Sequence, residues 1–157
     1  NAYSMRGRIK LSLDDFVGAI DDLNKGIEIN PNIAEFYVDR GLVKTELKDL
    51  KGSIDDFTKA IEMDPNVASV YCHRGMAKAM LKDLKGAIDD YSKAIEINPN
   101  DSDSKKYRLE AVSILKGQYE QTKSFQIKEC PELYIKLHDA FSYSNRGIGK
   151  LASFESG

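Results

Sequence analysis

The sequence lacks the cysteines that a secreted or zinc-binding domain of this size would carry. Its 157 residues include two, Cys72 and Cys130, which are too few for a disulfide framework and too far apart for a zinc-binding pair. A disulfide between them is not expected, and no secretory signal pattern is found, so the sequence favours an intracellular, cytoplasmic location. No cofactor and no metal is expected.

The sequence also lacks long apolar runs and a strong charge of one sign. The longest apolar runs are only a few residues, which excludes a transmembrane helix. The formal net charge is −2 with 31% charged residues, and no stretch is basic enough to indicate nucleic acid or an anionic membrane. The tyrosines and phenylalanines follow no basic stripe, so they do not indicate a base-stacking platform. Neither nucleic acid nor a membrane is therefore expected as a partner.

What the sequence does contain is a period of 34 residues, present three times without a gap at 1–33, 34–67 and 68–101. Three kinds of residue recur at this spacing: Tyr3, Tyr37 and Tyr71; Gly7, Gly41 and Gly75; and Pro31, Pro65 and Pro99. A fixed period of this length is typical of repeat proteins, in which each copy is one supersecondary unit that stacks on the next.

Each copy is predicted to form two helices. In the middle copy the first helix covers about residues 34–47. The second begins after Asp49, a good N-cap residue that Asp15 and Asp83 match in the other copies. It ends before the proline, because the residue that precedes proline is biased away from helix. The asparagines that follow the prolines are expected to cap the next helix: Asn32, Asn66 and Asn100.

Two features of the copies predict how their helices pack. Each glycine of the repeated Arg-Gly pair lies inside a helix, where it costs about 1 kcal/mol relative to alanine. Close approach of the two helices of a copy would offset this cost, so these glycines are predicted to be packing residues. Each such arginine also has an aspartate in the second helix of its copy. Ion pairs, within or between copies, are predicted for Arg6 with Asp22, Arg40 with Asp56 and Arg74 with Asp90.

The recurring residues form a pattern that resembles the tetratricopeptide repeat. They are Tyr37, Gly41, Ser53, Phe57, Ala60 and Pro65 in the second copy, and Tyr71, Gly75, Ala87, Tyr91, Ala94 and Pro99 in the third. The resemblance covers residues 1–101 and departs at Gly26, where alanine is usual. It implies an all-α fold, an α-α superhelix (solenoid) of antiparallel helix pairs whose first helices line a concave groove. It also implies a non-catalytic scaffold or adaptor for protein–protein interaction.

The period becomes irregular after residue 101. Residues 102–133 can form two amphipathic helices without a packing glycine, and they are interpreted as a degenerate fourth repeat or as capping helices. Tyr143 and Gly147 restore the motif, so residues 134–157 are interpreted as a linker and the first helix of a further, truncated repeat. We therefore expect the array to continue past Gly157.

The resemblance implies which positions of the first helices face the groove. They give these candidate partner-binding residues: Arg8, Glu35, Val38, Asp39, Leu42, Thr45, Ser69, Cys72, His73, Met76, Met80 and Lys106, with Leu11 and Glu46 in equivalent places. The centre of the set is apolar, which suits an extended or helical peptide with aliphatic anchors. For Leu42, Met76 and Met80, packing between adjacent first helices stays open as an alternative.

Some members of this family hold the C-terminal carboxylates of heat-shock chaperones with a clamp of Lys, Asn and Arg. The matching positions here are Ser4, Arg8, Asp39, Ser69 and His73. Arg8 is the one fixed cation among them, and Asp39 would repel a carboxylate. The sequence therefore argues against this ligand.

The sequence contains no convincing catalytic motif. Cys72 and His73 are adjacent, so on a helix they point about 100° apart and cannot form a nucleophile–base pair. The stretch GIGK at 147–150 lacks the first glycine and the Ser or Thr of a phosphate loop. We expect a protein that is not an enzyme and that binds a protein or peptide of unknown identity. Two alternatives stay open: self-assembly through the groove or the helix at 140–157, and an interaction domain of a larger enzyme.

Overall fold

The computed structural model describes residues 2–126, with side chains for residues 2–121. This part of the chain contains helices and no strands. The helices are α1 (Ala2–Ser12), α2 (Phe16–Ile29), α3 (Ala34–Glu46), α4 (Leu50–Met63), α5 (Ala68–Met80), α6 (Leu84–Ile97) and α7 (Ser102–Gln126). The predicted all-α fold of repeated helix pairs is confirmed. None of these helices is long and apolar enough to cross a bilayer.

The first six helices form three hairpins, which belong to one compact unit that covers residues 1–113. Within each hairpin the connection is three residues long, and its middle residue has a positive φ: 59° at Asp14, 62° at Lys48 and 65° at Lys82. A left-handed residue after a helix ends it and reverses the chain. Each hairpin packs on the next through α2 with α3 and α4 with α5, and the first helices also contact each other, α1 with α3 and α3 with α5.

The predicted N-caps of the second helices are confirmed. The carboxylates of Asp15, Asp49 and Asp83 accept hydrogen bonds from the backbone N–H groups of Gly18, Gly52 and Gly86. Such bonds satisfy donors that the first turn leaves free.

The prediction that Asn32, Asn66 and Asn100 cap the following helices is wrong. The N-cap residues of α3 and α5 are Ile33 and Val67, without side-chain capping bonds. Instead, the backbone N–H of each of these asparagines donates to a side-chain oxygen of the residue before the proline. The accepting residues are Asn30, Asp64 and Asn98. Asp101 takes the capping role at α7, where it accepts from the backbone of Ser104. The asparagines lie one residue too early to reach the helix.

The repeated glycines lie where the two helices of a hairpin approach each other. A Cβ added to Gly41 would stand 2.7 Å from the ring of Phe57, and one added to Gly75 would stand 2.7 Å from the ring of Tyr91. At Gly7 the neighbour is Leu23, at 3.0 Å. A large side chain of the second helix, aromatic in two copies and leucine in the first, therefore fills the space that a side chain on the first helix would need.

The unusual Gly26 is explained by the hairpin that follows it. A Cβ at Gly26 would overlap the ring of Phe36, which is fully buried between the first two hairpins. One period later the pair is Ala60 and Val70, which belong to one buried cluster. The larger Phe36 thus packs against the smaller Gly26, whereas the smaller Val70 packs near the larger Ala60. This compensation is what close packing of the interior requires.

The predicted arginine–aspartate pairs are present, and each lies within its own repeat. Both carboxylate oxygens of the aspartate accept from one guanidinium, at 2.5–2.9 Å, in the pairs Arg6–Asp22, Arg40–Asp56 and Arg74–Asp90. A lysine that the sequence reasoning missed also contacts each aspartate, at 2.8–2.9 Å: Lys10, Lys44 and Lys78. The bonds from Arg6 and Lys10 hold the pKa of Asp22 well below its usual range.

These arginines also connect one repeat to the next. The remaining guanidinium nitrogen of Arg40 donates to Asn24, and that of Arg74 donates to Thr58, each in the preceding repeat. Each of these two arginines therefore forms bonds both within its own repeat and to the preceding repeat. The charge pair is internal, and the neutral hydrogen bond crosses to the neighbour.

Residues 102–126 form one helix, α7, and not the two helices that the sequence suggested for residues 102–133. No turn residue interrupts it. Gly117 lies inside it, and a Cβ added there would meet no neighbouring atom of the described residues within 4 Å. Its first turns pack as another first helix would, with Ser104 and Ala111 buried and Tyr107 against Tyr91 at 5.9 Å between ring centroids. A capping role for α7 stays a prediction. The truncated helix proposed within 134–157, with Tyr143 and Gly147, lies outside the described residues, as does Cys130.

Candidate protein-binding groove

The first helices α1, α3 and α5 lie side by side and enclose a cleft of about 420 Å³. Its lining comes from three hairpins: Leu11, Asp14, Phe16, Leu42, Thr45, Glu46, Phe57, His73 and Met76. Its aliphatic lining residues are Leu11 of α1, Leu42 of α3 and Met76 of α5, and we call these three side chains the floor of the cleft. The volume lies in the lower part of the ~300–1,000 Å³ range of small-ligand pockets. It can take a few side chains of a partner.

Four of the twelve candidate residues line this cleft, Leu42, Thr45, His73 and Met76, together with Leu11 and Glu46 from the equivalent places. Leu42 also packs against the buried cluster around Phe57, and its role in partner binding stays a prediction. The sequence reasoning missed Asp14, Phe16 and Phe57, since it considered first helices alone. The sequence does distinguish Asp14 from its equivalents. It is acidic, whereas the same turn position holds Lys48 and Lys82 in the other repeats, and this difference could have indicated a special role.

Two carboxylates stand on the rim of the cleft, at Asp14 and Glu46, and both residues are exposed. The ion pairs of the described residues involve neither of them. The rim therefore presents negative charge beside an apolar floor.

A second polar cluster surrounds Asp39 of α3, where this helix meets Ser4 and Arg8 of α1. Asp39 is 2% exposed, and its oxygens accept from the Ser4 hydroxyl at 2.6 Å and from Arg8 Nε at 2.8 Å. Arg8 also lies 2.9 Å from Glu35. Burial raises the pKa of the Asp39 carboxyl, although the bonds from Ser4 and Arg8 oppose this. The single arginine at the clamp positions is therefore already engaged by two carboxylates of the same chain.

His73 stands against the ring of Phe57, with centroids 5.8 Å apart and planes 23° from parallel. Its Nδ1 is buried and has no hydrogen-bond partner within the described part of the chain. Burial lowers the pKa of the imidazole, so the ring is neutral at pH 7. His73 therefore adds a polar, uncharged edge to the cleft.

The remaining predicted groove residues do not meet at the cleft. Cys72 is a buried free thiol beside Ser104, and burial raises its pKa. Val38 packs against the buried cluster around Phe57. Three further candidates are exposed and lie outside the cleft: Ser69, Met80 and Lys106. The twelve candidates therefore divide among the cleft, the Asp39 cluster and separate positions. No group of side chains within the described residues is arranged to hold a metal ion.

Family profiles described as tetratricopeptide repeat match residues 1–33, 34–67 and 68–101. These ranges make up more than half of the sequence, and the chain therefore belongs to the tetratricopeptide repeat family. No curated protein sequence matches it.

Solved structures with the same fold are similar over most of the chain. The first TPR domain of Spaghetti (RPAP3), bound to the HSP90 peptide SRMEEVD, is 22% identical with a TM-score of 0.71, over 73% of this chain and 91% of that one. The second TPR domain of human RPAP3, in complex with the HSP70 peptide SGPTIEEVD, is 19% identical with a TM-score of 0.67, over 69% and 91%. The Sgt2 TPR domain of Aspergillus fumigatus is 19% identical with a TM-score of 0.72, over 76% and 80%. These likenesses show the fold.

Proposed function

We propose that this chain is a non-catalytic binding module that holds a segment of a partner protein in the cleft between α1, α3 and α5. The observation that carries the proposal is the cleft itself, with an aliphatic side chain from each of three first helices on its floor. Similar domains are seen with bound peptides, which supports a peptide-like ligand. A scaffold or adaptor role in the cytoplasm is part of the same proposal.

The chemistry of the candidate residues favours binding over catalysis. A nucleophilic cysteine needs a lowered pKa, whereas burial raises the pKa of Cys72. His73 stacks on Phe57 and is not aligned with a nucleophile. Neither Cys72 nor His73 is therefore activated for group transfer.

The ligand we propose is not the acidic chaperone C-terminus that the RPAP3 domains bind. At the clamp positions Arg8 is occupied by Asp39 and Glu35, and His73 is held neutral. A ligand carboxylate would therefore meet two carboxylates and no free cation. An aliphatic segment meets no such penalty on the floor formed by Leu11, Leu42 and Met76.

Selection from a display library of short random segments tests the proposal. We expect the protein to enrich segments with aliphatic side chains. We expect Met76→Gln to weaken the selected segment about tenfold, because it places a polar amide on the floor without a change of charge. The first repeat has Arg8 at the equivalent position, so the fold tolerates a polar side chain there. Isothermal titration with the synthetic segment measures the change.

Met5→Gln is the matched control, because Met5 is an exposed methionine of α1 outside the cleft. It should bind the segment as the unaltered protein does. If no segment is enriched, or if Met76→Gln binds the selected segment with unchanged affinity, the cleft is not the binding site.

Self-assembly is the second candidate, and an exposed apolar stripe on the first hairpin favours it. Met5, Ile9, Leu13 and Val17 are 54–72% exposed. One and two periods later the position of Ile9 holds Val43 and Ala77, which are 1% and 0% exposed because the preceding hairpin covers them. At Ile9 the stripe thus matches a position that is buried in the other two copies, and a second copy of the chain could cover it.

Light scattering over a concentration series tests self-assembly. We expect the mass of the unaltered protein to rise with concentration, and the double variant Ile9→Gln, Val17→Lys to stay monomeric. Lysine is the native residue at the equivalent positions Lys51 and Lys85, so the change suits the fold. A monomer at every concentration would exclude self-assembly, both through this stripe and through residues 140–157. If the double variant still assembles, deletion of residues 140–157 tests the second route.

A further inference from the structure

We infer that the cleft selects partner segments in which a basic side chain lies beside an aliphatic one. This inference rests on the proposed function and adds to it the charge of the ligand. Its basis is the combination of an aliphatic floor with two unpaired carboxylates on the rim, at Asp14 and Glu46.

The rim carboxylates have no cation of their own. Across the described residues, Asp14 and Glu46 take part in none of the ion pairs. Arg8, the cation at a candidate groove position of α1, is engaged by Asp39 and Glu35. His73 also lines the cleft, and burial lowers the pKa of its imidazole, so the ring is neutral at pH 7. The cleft therefore carries net negative charge that a ligand cation can balance.

The geometry suits the side chains of lysine and arginine in particular. Their methylene stems bury against apolar surface while their charged heads stay at the edge, in water or near a carboxylate. Here the stem would lie over Leu42 and Met76 and the head would reach the rim. A neighbouring aliphatic side chain would fill the rest of the 420 Å³.

The negative rim is specific to this cleft among the repeats. Asp14 is at the left-handed turn position that Lys48 and Lys82 occupy in the second and third copies. Glu46 is at the position of Ser12 and Met80. The turn does not require Asp14, since the other two copies form the same turn with lysine. The end of the first helix does not require Glu46, since serine and methionine stand there in the other copies. Both acidic residues nevertheless line the same cleft.

The repeats also supply the test variant. The double variant Asp14→Lys, Glu46→Met replaces each carboxylate by the residue of another copy and removes the negative rim. The probes are the segment selected from the random library and the same peptide with each basic residue replaced by glutamate. Thermal unfolding of each variant checks its fold, and Glu46→Gln, which keeps the size of the side chain, serves if the double variant is unfolded.

We expect the selected segments to pair Lys or Arg with an aliphatic residue. The rim variant should bind them about tenfold more weakly, as two exposed charge pairs predict. Added salt should weaken binding to the unaltered protein and have less effect on the variant. The glutamate peptide should bind the unaltered protein more weakly than the basic one.

Two kinds of result would overturn the inference. The first contradicts the charge preference alone, and the second contradicts the proposed function as well. If the selected segments are acidic or neutral, or if the rim variant binds them unchanged while Met76→Gln weakens them, the charge preference is wrong and the proposed function stands. If no segment is enriched, or if Met76→Gln has no effect, the proposed function fails and the charge preference fails with it.

Discussion

Replacement of Asp56 by alanine is expected to lower the free energy of unfolding by about 2–4 kcal/mol. Asp56 is 4% exposed and accepts from two nitrogens of Arg40, at 2.9 and 2.6 Å, while Lys44 lies 2.8 Å away. Its removal leaves two cations beside a buried surface without their counter-ion. Loss of one partner of a buried pair costs about 3–5 kcal/mol, and we reduce this figure because Arg40 and Lys44 remain about one-fifth exposed.

The neighbouring residue provides a close control for this prediction. Asp55 has the same side chain, lies in the same helix and is exposed, so Asp55→Ala should change stability by less than about 0.5 kcal/mol. Chemical denaturation of both variants at pH 7 measures the difference. Equal stability of the two variants would mean that the ion pair fixes only the orientation of α3 against α4 and adds nothing to stability.

Replacement of Gly41 by alanine is expected to destabilise the protein by about 1–3 kcal/mol, although alanine is the better helix former by about 1 kcal/mol. The added methyl group would stand 2.7 Å from the ring of Phe57, which is fully buried, so the ring or the helix that carries it must shift. Overpacking of this contact should push α3 away from α4. Because Leu42 is the next residue, segment binding in the cleft should weaken as well.

The same substitution at Gly117 separates sterics from helix propensity. Gly117 also lies inside a helix, but in the part of the chain that the structure describes no neighbouring atom lies within 4 Å of the position of its missing Cβ. Gly117→Ala should therefore leave stability unchanged or raise it by up to about 1 kcal/mol. If Gly41→Ala also proves stabilising in thermal or denaturant unfolding, the repeated glycines are not retained for helix packing.

Both predictions concern features that the sequence already indicated. The glycine inside a helix and the aspartate that accompanies an arginine recur three times at one spacing, and repetition separates a structural requirement from chance. Their contacts are also short-range in sequence: Arg40 and Asp56 are 16 residues apart. A single hairpin therefore contains all the information that such a contact needs.

The cleft was less predictable, because it depends on differences between the copies. Leu42, His73 and Met76 were expected on the groove side. The partners that close the cleft, Phe16 and Phe57, come from second helices. Asp14 belongs to a turn, and its part in the cleft depends on how three hairpins stack. The Asp39 cluster likewise joins Ser4 and Arg8 of α1 to a residue more than 30 positions away.

The sequence by itself determined the period, the helix pairs, the aspartate caps, the packing glycines and the charge pairs, because each of these follows from local spacing repeated three times. Only the tertiary structure decided which groove positions are buried, which cation is already neutralised and where unpaired carboxylates meet an apolar floor. It also decided that residues 102–126 form one helix. These properties depend on contacts between hairpins, where side chains of different copies meet and where the repeats are not identical.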